Sequence, residues 1–312
     1  MKKQRVVLTG GSGLLALNWA CAVRDKWDAI LGTHLHLVEL AGTTSCKLDL
    51  EDPVRLGHQL DQLSPDLCVH TAGLTNVDRC EEDPVLARQA NAEIARNVAL
   101  ASARKKIKLI HISTDHLFAG SSSLYSEGAQ PQPLNEYARS KLLAEEWVQQ
   151  ACPQAIIVRT NFFGWGYAKR QSFSDWIIYN LRAGKPLSLF DDVYITPILA
   201  DSLALAAHEL AAYGTSGVVN LVGDERVSKY EFALQLAERF ALPDELIRRD
   251  QVAHANLRAK RPRDMSLDNA KVRQMLGRDL GRLDEYLVAL RSQETQGRRL
   301  ELFHSVSQLF GE

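Results

Sequence analysis

Val6-Val7-Leu8-Thr9-Gly10-Gly11-Ser12-Gly13-Leu14-Leu15-Ala16 is the stretch on which the fold turns. A short β-rich apolar run enters a glycine turn, and Leu14 opens a segment of helical period. Working outward, Ile30 to Gly32, Leu67 to His70, Leu109 to Ile112 and Ile156 to Val158 repeat the strand signal. Leu14 to Trp27, Pro53 to Leu63, Pro84 to Ala103 and Asn135 to Ala151 carry the helical one. Alternation of this kind specifies an α/β fold, a doubly wound parallel sheet (Rossmann) with ligands beyond the carboxyl ends of its strands. Beyond Phe162 the alternation breaks into aromatic and loop-rich sequence. A helix is expected over Phe173 to Ala183, a returning strand at Gly217 to Leu221, and mainly helix from Ser228 onward. The predicted organisation is a dinucleotide-binding domain over 1–164 and 196–222, and a smaller, discontinuous C-terminal substrate lobe over 165–195 and 223–312.

Composition narrows the setting. Of 312 residues, 46% are hydrophobic and 24% charged, enough for a full core. Lys and Arg number 37 against 38 Asp and Glu, so no global field draws nucleic acid or an anionic membrane. The 5 cysteines, Cys21, Cys46, Cys68, Cys80 and Cys152, show no zinc spacing and no C-x-x-C. The expectation is a soluble, cytoplasmic protein in a reducing compartment, without a metal site, nucleic-acid partner or membrane span.

The glycines at Gly10 and Gly13 suit a tight turn whose amides approach a pyrophosphate at a helix N-terminus, with Ala16 still permitting close helix packing. The stretch ending the second strand, Leu31-Gly32-Thr33-His34-Leu35-His36, has no carboxylate for a ribose 2′-hydroxyl. A 2′-phosphate meets no repulsion there, and His34 or His36 can donate to it. NADP(H) is therefore favoured, with NAD(H) accepted if both are ordinary loop residues. Asp49-Leu50 closes an expected third strand, where Asp49 can accept from an adenine amino group; helix capping by Asp49 or Asp52 is the competing role.

Tyr137 and Lys141 stand four apart in Asn135-Glu136-Tyr137-Ala138-Arg139-Ser140-Lys141, on one face of a helix. With 8 tyrosines in the chain, chance supplies such a pair about a third of the time, so its context decides. That context is Ser113-Thr114-Asp115, which ends the strand Leu109 to Ile112 at the sheet's carboxyl edge. A tyrosine of ordinary pKa about 10 is a weak acid-base catalyst, and a neighbouring ammonium favours its phenolate. Bringing it to about 7 takes ~4 kcal/mol, which Lys141 and an oxidised nicotinamide can share. Thr114 donating to a carbonyl oxygen while Tyr137 transfers a proton to it amounts to carbonyl reduction by hydride transfer.

In this order, these residues resemble the extended short-chain dehydrogenase/reductases, and more narrowly the dTDP-4-dehydrorhamnose reductase family. Matching segments include His70 to Glu81, Asn91 to Ala99, His111 to Gly120, Pro133 to Lys141 and Gly223 to Tyr230. The resemblance implies Thr114, Tyr137 and Lys141 as the catalytic set. It implies cofactor contacts at Gly10, Gly13, Asp49, Ala72 and Gly73, with Lys141 also holding the nicotinamide ribose. The implied substrate is a nucleotide-linked 4-keto-6-deoxy sugar. The helix bearing Tyr137 is a common dimer face in that superfamily, which admits a homodimer.

Departures and unabsorbed features remain. Phe162 stands where the family's usual tryptophan helps hold the sugar. Asp115-His116 replaces the Asp-Glu pair of related dehydratases, so reduction is preferred to dehydration, and both residues are substrate-side candidates. Arg258, Lys260, Arg261 and Arg263 form a basic run in which Arg261 or Arg263 can grip a diphosphate, unless the run is a solvated face. Phe163, Trp165 and Tyr167 suit a sugar platform or plain core. Leu300 to Phe310 carries apolar residues at helical spacing beyond the family's usual end, expected to pack on its own lobe. Two alternatives stay open: an NADP-binding regulatory subunit resembling the methionine adenosyltransferase β subunit, and a nucleotide-sugar epimerase using the same triad.

Overall fold

A computed structural model describes residues 3–34, 36–167 and 170–309. Leu35 of the stretch after the second strand and Phe310 of the tail lie outside them. The core is a seven-stranded parallel sheet of β1 (Gln4–Thr9), β2 (Trp27–Thr33), β3 (Thr43–Lys47), β4 (Leu67–His70), β5 (Lys108–Ile112), β6 (Ile156–Arg159) and β7 (Gly217–Asn220), in the order β7-β6-β5-β4-β1-β2-β3. Chain order reverses between β1 and β4, which opens a crevice at their carboxyl ends.

Alternation along each strand sends side chains to opposite faces. Val6, Leu8, Leu31, Val69, Ile110 and Val158 pack with the helices Leu14–Val23 and Ala200–Ala212. Val7, Ile30, Cys68, Leu109 and Ile157 pack with Pro53–Leu63, Ile94–Lys105 and Glu136–Ala151. These strand side chains are essentially fully buried, each worth about 1.5–3 kcal/mol against exposure. In-register pairing of Thr9 with His70, and of His70 with His111, aligns the carboxyl ends of β1, β4 and β5 beneath the crevice.

Several boundaries differ from the sequence expectation. The first helix stops at Val23 rather than Trp27, because Arg24-Asp25-Lys26 offers no apolar face and Trp27 opens β2 with its ring edge-on to His208. The third strand ends at Lys47, before Asp49. The helix expected over Pro84 to Ala103 is divided into Pro84–Arg88, a π turn Gln89–Glu93 and Ile94–Lys105. The wide turn carries Asn91 inward, where its amide accepts from Leu74 N at 2.7 Å and donates to Ser140 Oγ at 2.9 Å. An additional helix, Val77–Glu82, is capped by Asn76.

The tail also departs from expectation. It is helical only over Arg298–His304; Val306–Leu309 then pairs antiparallel with His36–Val38. The helix still packs against Leu283–Thr295 of the C-terminal region, as expected, while the last strand crosses to the His36–Val38 strand. The 5 cysteines are all free. Among the described residues no helix is long and apolar enough to cross a membrane, and no cluster suits a metal.

Candidate active site

The glycine turn is shaped by sterics. Gly10 has φ +71°, and a Cβ there would lie 2.7 Å from Ala72 Cα. Only glycine combines that conformation with that approach. The turn closes through Gly13 N donating to Gly10 O at 2.7 Å. Gly13 then caps the ten-residue helix Leu14–Val23 with no side-chain bond, leaving first-turn amides for a ligand.

A cavity of about 200 Å³ runs from this turn along the end of β2, lined by Gly10, His34, His36, Asp49, Leu50 and Ala72 among others. His36 Nδ1 is buried with no partner of its own, a polar atom waiting for a ligand group. Asp49 pairs with Arg55 at 3.0 Å and accepts from Glu51 N, while Asp52 caps the following helix through Val54 N and Arg55 N. Asp49 is thereby left beside the cavity instead of serving as the cap. A glycine cradle, free helix amides and an unpartnered imidazole together fit a dinucleotide.

A second cavity continues from Gly13, Leu14, Ala72 and Gly73 to Tyr137, Lys141, Phe162 and Arg170. The helix supplying Tyr137 starts at a fixed point, because Asn135 caps it by accepting from Ala138 N. Tyr137, Lys141 and Glu145 follow at intervals of four on its inner face, all buried. Glu145 forms an ion pair with Arg159 at 2.7 Å and accepts from Ser113 Oγ at 2.5 Å, tying the helix to the ends of β5 and β6. Lys141 Nζ donates to Ile112 O at 2.7 Å.

Burial governs the protonation of this end. It pushes the Tyr137 phenol up to about 12, against the pull of the Thr114 hydroxyl and Arg170. It brings the Lys141 ammonium down to about 8, opposed by Glu145. Burial thus favours the protonated phenol of Tyr137, a proton donor, and holds Lys141 Nζ at Ile112 O one helical turn away. Burial raises Asp115 to about 7, although Asn161 Nδ2 donates to it at 2.6 Å and Lys229 attracts its charge. His116 is lowered by burial to about 3 and lies edge-on to the Tyr137 ring at 5.6 Å. A neutral imidazole there cannot serve as a cationic donor.

The guanidinium groups of the basic run are paired within the fold. Arg261 pairs with Asp78 at 3.0 Å, Arg258 with Glu82, and Arg263 with Asp192 at 3.7 Å. Each guanidinium already has a carboxylate, which Asp78, Glu82 and Asp192 supply from distant sequence. Lys260 O accepts from Asn135 Nδ2, so the loop is braced on the cap of the Tyr137 helix. Of the aromatic cluster only Phe162 lines the cavity; Phe163 and Trp165 are core, with Trp165 Nε1 bonded to Leu290 O.

Sequence reading had not singled out Arg170, Asn161, Lys229 or Asn91. Arg170 bonds Thr75 across the cleft mouth, and burial lowers Lys229 beside Asp115. Asn91 was the most accessible of these, being a polar residue inside an otherwise helical run.

The model of the RmlD substrate binding domain matches residues 4–293. The chain is 32% identical to the probable low-salt glycan biosynthesis reductase Agl14 of Haloferax volcanii, over 91% of this chain and 96% of the relative. A hypothetical dTDP-4-dehydrorhamnose reductase from Sulfolobus tokodaii superposes with a TM-score of 0.78 at 32% identity, covering 90% of this chain and 98% of the other. A dTDP-4-dehydrorhamnose reductase from Bacillus anthracis in complex with NADP superposes at 0.83 with 23% identity, covering 94% and 100%, a likeness of fold.

Proposed function

Because the chain belongs to the RmlD substrate binding domain family, we propose that it is an NAD(P)H-dependent reductase of a nucleotide-linked 4-keto-6-deoxy sugar, with NADPH favoured. One observation carries the reading: Thr114, Tyr137 and Lys141 are buried together at the carboxyl edge of the sheet, next to the glycine turn. Relatives named as reductases, one of them bound to NADP, support the reaction class and the cofactor.

A bound nicotinamide dinucleotide supplies the hydride. The chain's own residues handle the carbonyl oxygen. Thr114 donates a hydrogen bond that polarises it, and Tyr137, held neutral by burial, gives up its proton as negative charge develops there. Lys141, with its ammonium fixed at Ile112 O, is a nearby positive charge for the phenolate left behind. In this reading the sugar rests on Phe162, which lines the cavity, with Asp115 and its partner Asn161 behind the reacting end. His116 in place of an acidic dehydratase base, and neutral, supports simple reduction over loss of water.

The test is turnover: purified protein, NADPH and a set of dTDP-4-keto-6-deoxy sugars, followed by the absorbance of the reduced nicotinamide. Oxidation that requires both sugar and enzyme is expected. Tight dinucleotide binding with no turnover of any such sugar would favour the regulatory-subunit reading instead.

A further inference from the structure

The chain between Thr33 and Thr43 leaves the central sheet, and within it the short strand His36–Val38 carries one of the two histidines lining the adenosine-side cavity. Among the described residues, the sheet partner of that strand is the C-terminal segment Val306–Leu309. Val306 stands opposite Val38 and Leu309 opposite His36, and Glu39 N donates to Ser305 O at 2.8 Å. Resting on the reading of that cavity as the adenosine end of a dinucleotide site, we infer that the C-terminal segment is a cofactor-affinity element. It holds His36 in the place where the chain meets a 2′-phosphorylated ribose.

The segment is firmly seated before it reaches the histidine strand. Leu302 is fully buried and Val306 nearly so, both within the main core. Arg298 pairs with Asp201 at 3.3 Å, and Arg299 Nε donates to Tyr179 Oη at 3.1 Å. Glu301 meets the guanidinium of Arg24 in a two-pronged pair, with Arg24 Nη2 to Oε2 at 3.0 Å. Arg24 also donates to Ala41 O at 2.7 Å, at the far end of the same excursion. The excursion is thus clamped at Glu39 and Ala41 by contacts that lead back to the tail. From inside the domain, Ser45 Oγ donates to Val38 O at 2.6 Å.

The site so held suits an anion. His36 Nδ1 is buried without a partner and His34 is exposed beside it; of the two carboxylates in the cavity lining, Asp49 is paired with Arg55 and Glu51 is exposed. Without the tail the short strand would have no sheet partner and would be held only by its connections to β2 and β3 and the Ser45 and Arg24 bonds at its far side, so a charge-assisted bond from His36 at its near end would lose preorganisation. Phosphorylated dinucleotide binding should therefore feel the tail more than unphosphorylated binding does. The chemistry step, at the other end of the crevice, should not feel it.

The experiment compares the full chain with a chain ending at Gln296, and with R24E, E301R and the double reversal R24E/E301R. NADPH and NADH dissociation constants are measured by nicotinamide fluorescence, alongside kcat at saturating NADPH and thermal melting. The shortened chain is expected to bind NADPH at least about tenfold more weakly, the worth of one charge-assisted hydrogen bond, and NADH within about threefold of the full chain. Its kcat should stay within about twofold at saturation. Each single reversal should weaken NADPH in the same selective way, and the double reversal, which remakes the ion pair but not the Arg24 bond to Ala41 O, should recover part of the affinity lost. These reversals keep the test decisive should the shortened chain not fold. Unchanged NADPH affinity in folded variants overturns the inference alone, as does equal weakening of both dinucleotides with a loss of kcat. A full-length chain that binds neither dinucleotide overturns it together with the reading of the cavity.

Discussion

At the glycine-turn end of the crevice the groups that matter belong to the main chain: a left-handed glycine against Ala72 and the open first turn of the Leu14–Val23 helix. At the reaction end they are side chains that ionise, Tyr137 and Lys141 on one helix face and Asp115 just past the end of β5, and burial moves all three out of their ordinary protonation ranges. The first end is governed by space and works only if nothing is added to it. The second is governed by desolvation and works only if the right protons stay in place. Substitutions should accordingly separate binding from chemistry.

The largest separation is expected at Tyr137. Tyr137→Phe should lower kcat by about 10²–10⁴-fold, the usual worth of a positioned proton donor, while the NADPH dissociation constant stays within about threefold. Steady-state kinetics with a fluorescence titration checks both halves. Gly10→Ala is the converse. With the new Cβ 2.7 Å from Ala72 Cα and φ at +71°, the turn must shift, at a cost of order 1–3 kcal/mol. NADPH affinity should fall by about tenfold or more, seen in the same titration. Equal losses of affinity in the two variants would erase the contrast between the ends.

Asp115 gives a pH signature confined to the reaction end. Its carboxyl is raised from 3.8 to about 7 in the folded chain, so the folded state holds the proton more tightly than the unfolded state does. The resulting stabilisation is complete below about pH 4 and is lost as pH rises to about 7. Relative to Asp115→Asn, which cannot ionise, the wild-type melting temperature should therefore fall across that window and run parallel outside it. Thermal denaturation at a series of pH values reads this directly. Parallel curves throughout would mean that Asn161 and Lys229 compensate the buried charge in full.

The smallest effect is expected at Asn135, which caps the Tyr137 helix and also holds Lys260 O. Asn135→Ala should cost about 1 kcal/mol of stability, measured by urea unfolding, with a modest fall in kcat and little change in NADPH affinity.

The two ends also differed in how far they could be read from sequence. The glycine turn, the order of strands and helices, and the Tyr137 and Lys141 pair depend on local spacing, which is visible in a sequence, and Thr114 is marked by its place at the end of an apolar strand. Protonation depends on who else is buried nearby, and the commitment of Lys141 to Ile112 O could not be seen from Tyr-x-x-x-Lys alone. The pairing of the basic run was hidden for a related reason. Arg258, Arg261 and Arg263 look free in sequence because their carboxylates, on Glu82, Asp78 and Asp192, come from far away in the chain. The tail read as a helix because its apolar spacing fits one. Its last residues instead took the open edge of the His36–Val38 strand, a partner that periodicity does not reveal.

In the proposed reduction Tyr137 delivers the proton to the carbonyl oxygen while hydride reaches the carbonyl carbon. This is tested most directly in a single turnover with the nicotinamide deuterated at its transferring position and a dTDP-4-keto-6-deoxy sugar. Wild-type protein is predicted to place deuterium on the former carbonyl carbon, and Tyr137→Phe to bind both ligands yet transfer almost none. Transfer by Tyr137→Phe within about tenfold of wild type would contradict the account.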